Sequence, residues 1–137
     1  MFEIKNEEAL FRLSFVERLE EPEDRELDLI ICWLEIKDNF VNVGCECELS
    51  VLDLHLFRDK LKGFYSQFFE NPEPVCFEPR MPVFEINCLQ LKDSDSVGFN
   101  FIVRPELSSG WVVNGGIIID QSYFPGLIQG VESILDN

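Results

Sequence analysis

Between Trp111 and Leu135 the apolar residues change period, and few folds accommodate that change. Trp111, Val112 and Val113, then Ile117, Ile118 and Ile119, are interrupted only by Asn114, Gly115 and Gly116. Apolar side chains on both faces predict a central strand covered from both sides. Beyond Asp120-Gln121-Ser122-Tyr123 the apolar positions become Phe124, Leu127, Ile128, Val131 and Leu135. Steps of three and four predict a helix with one greasy stripe. Asp120 or Ser122 is placed to cap its first turn, where Pro125 is tolerated because first-turn amides have no partner inside the helix. A strand that runs directly into its covering helix obliges the upstream chain to supply the neighbouring strands.

That chain reads as strands, a helix and more strands. Phe11, Leu13 and Phe15 alternate with Arg12 and Ser14 as a half-buried strand. Leu27 to Ile36 carries Leu29, Ile31 and Trp33 on one face and Ile30, Cys32 and Leu34 on the other, which predicts a second strand covered on both faces. Val41, Val43, Cys45 and Cys47 alternate with Asn42, Gly44, Glu46 and Glu48 in a strand with one wet face. Ser50 and Asp53 have capping-box spacing, and Leu54, Phe57, Leu61, Phe64 and Phe68 continue as a helix to about Phe69, ended by Asn71-Pro72. Pro74, Pro79 and Pro82 confine any strand near Val75 to Glu78 to a short or edge position. Phe84, Ile86 and Cys88 alternate, with a phase shift at Leu89 and Leu91 that predicts a bulge, and Phe99, Phe101 and Val103 share one face of the next strand. The expected architecture is α+β: a single antiparallel sheet of six or seven meandering strands covered by two amphipathic helices, in the order βββ-α-ββββ-α, without internal repeat.

At 137 residues the chain is expected to form one domain over 1–137, and 13 Phe and 2 Trp supply its core. The longest uncharged run, Leu107 to Ile119, has three glycines and is too short to span a bilayer. Glu3, Glu7 and Glu8 stand where a signal peptide would be basic, so a cytoplasmic protein is expected. Cys32, Cys45, Cys47, Cys76 and Cys88 are odd in number and lie in strand-like patterns, which fits reduced, buried thiols. With 26 acidic against 11 basic residues the net charge is −15, beyond the magnitude of about 2 to 8 that keeps a small domain soluble. Such a surface repels nucleic acid and anionic membrane and speeds encounter with a basic protein.

No constellation of residues argues for catalysis, a cofactor or a metal. His55 is the only histidine and flanks the apolar stripe of the first helix, with Asp59 one turn on. Cys45-Glu46-Cys47 has one residue between its thiols where zinc pairs have two to four. Asp93-Ser94-Asp95-Ser96 begins like a calcium loop, yet its sixth position, Gly98, leads into a strand and the twelfth is no glutamate. Gly115-Gly116 lacks the lysine of a phosphate cradle. One acidic run rises above the background. Glu17, Glu20, Glu21, Glu23, Asp24, Glu26 and Asp28 stand against Arg18 and Arg25 in an exposed turn, and the first six are the candidate partner-binding residues. A solvated loop is the plain alternative.

Cys32-Trp33-Leu34 in a strand, Asp53-Leu54 opening a helix with Phe57 and Leu61, Gly98 entering a strand and Asp120-Gln121-Ser122-Tyr123 opening the last helix together resemble the WapI-type immunity proteins of bacterial toxin systems. The resemblance covers nearly the whole chain and is most specific at the Asp-Gln-Ser-Tyr turn. It implies a small cytoplasmic protein that binds and neutralises a cognate toxin domain, often a nuclease. The charge balance separately leads to the expectation of carboxylates at the rim and exposed aromatics as anchors against a basic toxin, with the chain a monomer or weak dimer. The alternative is an acidic secretion chaperone or another non-catalytic binding module. Such chaperones begin with a helix, where Phe11 to Phe15 alternates as a strand.

Overall fold

The chain runs through the pattern ββββα twice. The computed structural model describes residues 1–92 and 94–137. β1 (Phe2–Lys5), β2 (Leu10–Leu19), β3 (Leu29–Lys37) and β4 (Asn42–Ser50) pair antiparallel in chain order and lead into α1 (Val51–Ser66). β5 (Val75–Phe77), β6 (Phe84–Gln90), β7 (Ser96–Val103) and β8 (Val113–Asp120) repeat the meander and lead into α2 (Phe124–Leu135). The α+β class and the antiparallel pairing agree with the sequence. The single sheet of six or seven strands and the order βββ-α-ββββ-α do not: there are two sheets of four strands. β1 escaped notice because two of its four residues, Glu3 and Lys5, are charged.

The sheets meet through their inner faces. Phe11 of β2 lies 5.1 Å from Phe99 and 5.2 Å from Phe101 of β7, ring centre to ring centre, and 6.3 Å from Phe84 of β6. The helices fill the space beside the first strand of each meander. Phe57 of α1 stacks on Phe77 of β5 at 4.3 Å and packs on Phe2 of β1 at 5.6 Å. Phe64 of α1 stacks on Phe124 of α2 at 5.0 Å. α2 runs so close to β1 that a Cβ at Gly130 would stand 2.5 Å from the Met1 carbonyl oxygen. One buried cluster draws on both sheets and both helices.

Both strands expected to be covered on two faces are covered on one. β8 is the edge strand of its sheet, and Trp111 and Ile118 are 75% and 69% exposed. Asn114, Gly116, Ile118 and Asp120 alternate on its outer side, so the isoleucine run is shared between core and water. β3 is interior to its sheet, but Trp33 on its outer face is 39% exposed. The bulge expected near Leu89 is absent from β6, whose register with β7 is continuous from Phe84 to Gln90. β5 is a short edge strand, as its prolines demand. Ser50 caps α1, its hydroxyl accepting the Asp53 amide at 3.0 Å, and Asp120 accepts the Ser122 amide at 2.8 Å before α2. Four thiols are buried and Cys76 is exposed, contrary to the expectation for all five. Asp93, which opens the calcium-like turn, lies outside the described residues. No described helix is long and apolar enough to cross a membrane.

Candidate functional site

Alternation along β1 to β4 sorts their side chains into a greasy inner face and an outer face open to water. The pairing register arranges the outer face in rows. Glu3, Arg12, Glu35 and Gly44 form one row; Ser14, Trp33 and Glu46 form the next; Glu17, Ile31 and Glu48 form the third. A bulge decides the third. The register steps from Phe15 opposite Cys32 to Glu17 opposite Ile31, leaving Val16 as the extra residue. Without that step Glu17 would point at the core and Arg18 at solvent. With it, Glu17 joins the open face and Arg18 turns inward.

The rows differ in charge state. Arg12 pairs with both carboxylates of the first, Nε 2.7 Å from Glu3 and Nη1 3.6 Å from Glu35, and Lys37 reaches Glu35 at 3.8 Å. Among the described residues, Glu17, Glu46 and Glu48 have no ion-pair partner. They surround the two apolar side chains Trp33 and Ile31. The indole reaches diagonally over Gly44, where a Cβ would lie 2.8 Å from Trp33 Cζ2. Only glycine leaves room for the ring in this position.

The acidic loop continues from the same end of the sheet. Of the six candidate residues, Glu17 lies in β2, while Glu20, Glu21, Glu23, Asp24 and Glu26 lie in the β2–β3 connection, all exposed. Asp24 caps the short turn Arg25–Leu27, accepting the Glu26 amide at 3.0 Å. Glu20 meets Arg25 at 3.7 Å. The seventh acid, Asp28, is fully buried and fastens the loop. It accepts the Glu21 amide at 2.7 Å and Arg18 Nη2 at 2.9 Å, while Arg18 Nη1 reaches the Leu135 carbonyl at 3.0 Å. The Glu21 hydrogen bond, and then Arg18, hold its carboxyl below the ordinary aspartate range against the opposing effect of burial. The loop base is thereby tied to β2 and to the end of α2.

The negative charge is unevenly distributed. Residues 1–50 hold 14 acidic and 5 basic residues, net −9, against 6 and 3 over residues 75–120. The sequence had shown the acidic loop and the alternation of Glu46 and Glu48. It had not shown that Glu17 stands on the same face, because nothing in Phe15-Val16-Glu17 announces the bulge, nor that Trp33 is exposed among them.

Other features offer less. A trough of about 550 Å³ on the outer side of the second sheet is lined by Asn87, Asn100, Asn114, Glu85 and Cys76. An apolar groove lies between Val41, Val43, Trp111 and Val112. Burial pushes the Cys32 and Cys88 thiols up to about 12, so neither is a nucleophile near neutral pH. His55 has no hydrogen-bonded carboxylate among the described residues, and Asp59 pairs with Arg58 at 3.2 Å. No protein-family model matches this chain, and no curated protein matches its sequence.

Proposed function

We propose that this chain is a non-catalytic binding protein that neutralises a basic protein, in the manner of the WapI-type immunity proteins it resembles. The partner is a toxin domain of the nuclease type, basic because it grips phosphates, and the complex forms in the cytoplasm with the chain as a monomer or weak dimer. The supporting observation is the concentration of charge: residues 1–50 carry net −9, and three unpaired carboxylates frame an exposed indole on one open sheet face. A surface of this kind raises the encounter rate with a cation and excludes nucleic acid from the same ground. An aromatic anchor within a polar frame is the usual composition of an energetic hot spot.

The deciding experiment is a titration of this protein into the toxin-domain product of a neighbouring gene. Nuclease activity should fall in proportion to added protein and vanish near equimolarity. Unchanged activity, or inhibition that ignores the ratio of the two proteins, would sink the reading. The apolar groove beside Trp111 keeps the secretion-chaperone alternative in the test. A tight dimer by light scattering, together with capture of an unfolded segment, would select it.

A further inference from the structure

The open face of the first sheet has no covering layer among the described residues, and its chemistry selects what can cover it. A second copy of the chain would set Glu17, Glu46 and Glu48 against the same residues across a self-complementary contact, a like-charge arrangement. Phosphate backbones and anionic lipids meet the same repulsion. A cationic protein segment meets none. Within that class the face distinguishes the two cations. Trp33 is supported from below by Gly44 and 39% exposed above, so it offers an indole surface held in place before any partner arrives. Glu46 is its direct cross-strand neighbour, and Glu48 stands two residues further along the same strand. A planar guanidinium stacks on an indole while its edge donates two parallel hydrogen bonds to a carboxylate; a lysine ammonium, compact and strongly hydrated, does one or the other.

We infer that this face, centred on Trp33, is the docking surface for an arginine-bearing segment of the basic partner, with the arginine stacked on Trp33 and forked onto Glu46. Glu48 and Glu17 supply the surrounding negative field, and Ile31 supplies apolar contact. The inference rests on the proposed function, since it presumes a basic partner and specifies where and how that partner is read.

The test uses the full chain with tryptophan 111 replaced (Trp111→Phe), so that Trp33 is the only indole. A short arginine peptide and a lysine peptide of equal length are titrated at about 0.15 M salt, following fluorescence and heat. The arginine peptide should bind roughly tenfold tighter and quench Trp33. Trp33→Leu should abolish the preference. Gly44→Ala, which displaces the indole and leaves every charge in place, should reduce it in the same direction while circular dichroism stays unchanged. Glu46→Gln with Glu48→Gln should weaken arginine binding about tenfold, a larger loss than Glu20→Gln, Glu23→Gln and Glu26→Gln together should cause, since those exposed loop carboxylates act on the peptide only through a field that salt screens. Equal binding of the two peptides, abolished by the loop substitutions and untouched by those on the face, would overturn this surface and leave the basic-partner reading intact. Failure of the unsubstituted face to bind either peptide would overturn both.

Discussion

The two meanders follow one plan, yet their outer faces carry different chemistry. On β2 to β4 the rows are Ser14, Trp33, Glu46 and Glu17, Ile31, Glu48. On β6 to β8 the corresponding rows are Glu85, Ile102, Asn114 and Asn87, Asn100, Gly116. There the carboxylate is neutralised, since Arg104 Nη2 lies 3.1 Å from Glu85, and the remaining polar side chains are neutral amides. Both sheets bury their inner faces equally well: Ile30, Cys32 and Leu34 on one, Phe99 and Val103 on the other, are all fully buried. Along these rows the second sheet is therefore wetted by amides and one closed ion pair. The glutamates of the first sheet that have no ion-pair partner among the described residues, Glu17, Glu46 and Glu48, have no counterpart in those rows.

The two faces back onto one shared core. Phe11 is where that can be broken with the largest effect, because its ring meets Phe84, Phe99 and Phe101 across the gap between the sheets. Phe11→Ala should cost about 3–5 kcal/mol, read as a lower urea midpoint with one transition by every probe. Two separate transitions would mean that the faces belong to independent units. A smaller loss, about 1–3 kcal/mol from overpacking, is expected for Gly130→Val, where the new side chain meets the backbone of Met1 and Phe2. Hydrogen exchange should quicken first at β1. Exchange that quickens instead in the second sheet would place the closure elsewhere.

Particular residues show how much of this was legible. The helical stripes Leu54-Phe57-Leu61-Phe64 and Phe124-Leu127-Val131 are local patterns, and both helices formed where the period indicated, although α1 ends at Ser66 and the expected last member of its stripe, Phe68, falls in a separate 3-10 turn. Strand alternation likewise marked Phe11, Cys45, Cys47, Phe99 and Phe101 as inward. Which strands share a sheet was not legible, because α1 intervenes and tertiary packing of aromatic rings decides that the meanders face each other. Ile117-Ile118-Ile119 and Leu29 to Leu34 looked two-sided because a sequence does not say whether a second layer covers a strand. The acidic loop was plain in the composition. Its continuation onto the open face depended on the extra residue Val16, while a bulge was expected at Leu89, where the ladder runs unbroken.

Asp28 fastens the base of the acidic loop to β2, accepting from the Glu21 amide and from Arg18. Its folded pKa lies below the ordinary 3.8, chiefly through the Glu21 amide and then Arg18. A depressed carboxylate contributes stability in full above its unfolded value and loses it as the pH falls through the folded one. Asp28→Asn should therefore lower the melting temperature at pH 7, less than Gly130→Val does, and the gap to the unsubstituted protein should close as the pH drops below 3.8. A gap that stays constant into acid would show that Arg18 is held by Leu135 and Asn137 alone.

The smallest expected effect bears most directly on the contrast between the faces. Glu46 and Glu48 point the same way from the edge strand β4 with no cation between them, so neutralising both (Glu46→Gln with Glu48→Gln) should leave stability unchanged or raise it by about 0.5 kcal/mol at low salt. Glu85→Gln removes half of a partly shielded ion pair and should cost up to about 1 kcal/mol. Half a molar salt should shrink both differences, since both are electrostatic. Opposite signs at low salt mean that one sheet uses its outer carboxylate for its own stability and the other holds its carboxylates in reserve. Equal losses would assign Glu46 and Glu48 to the fold, and the distinction between the faces would then be one of composition only.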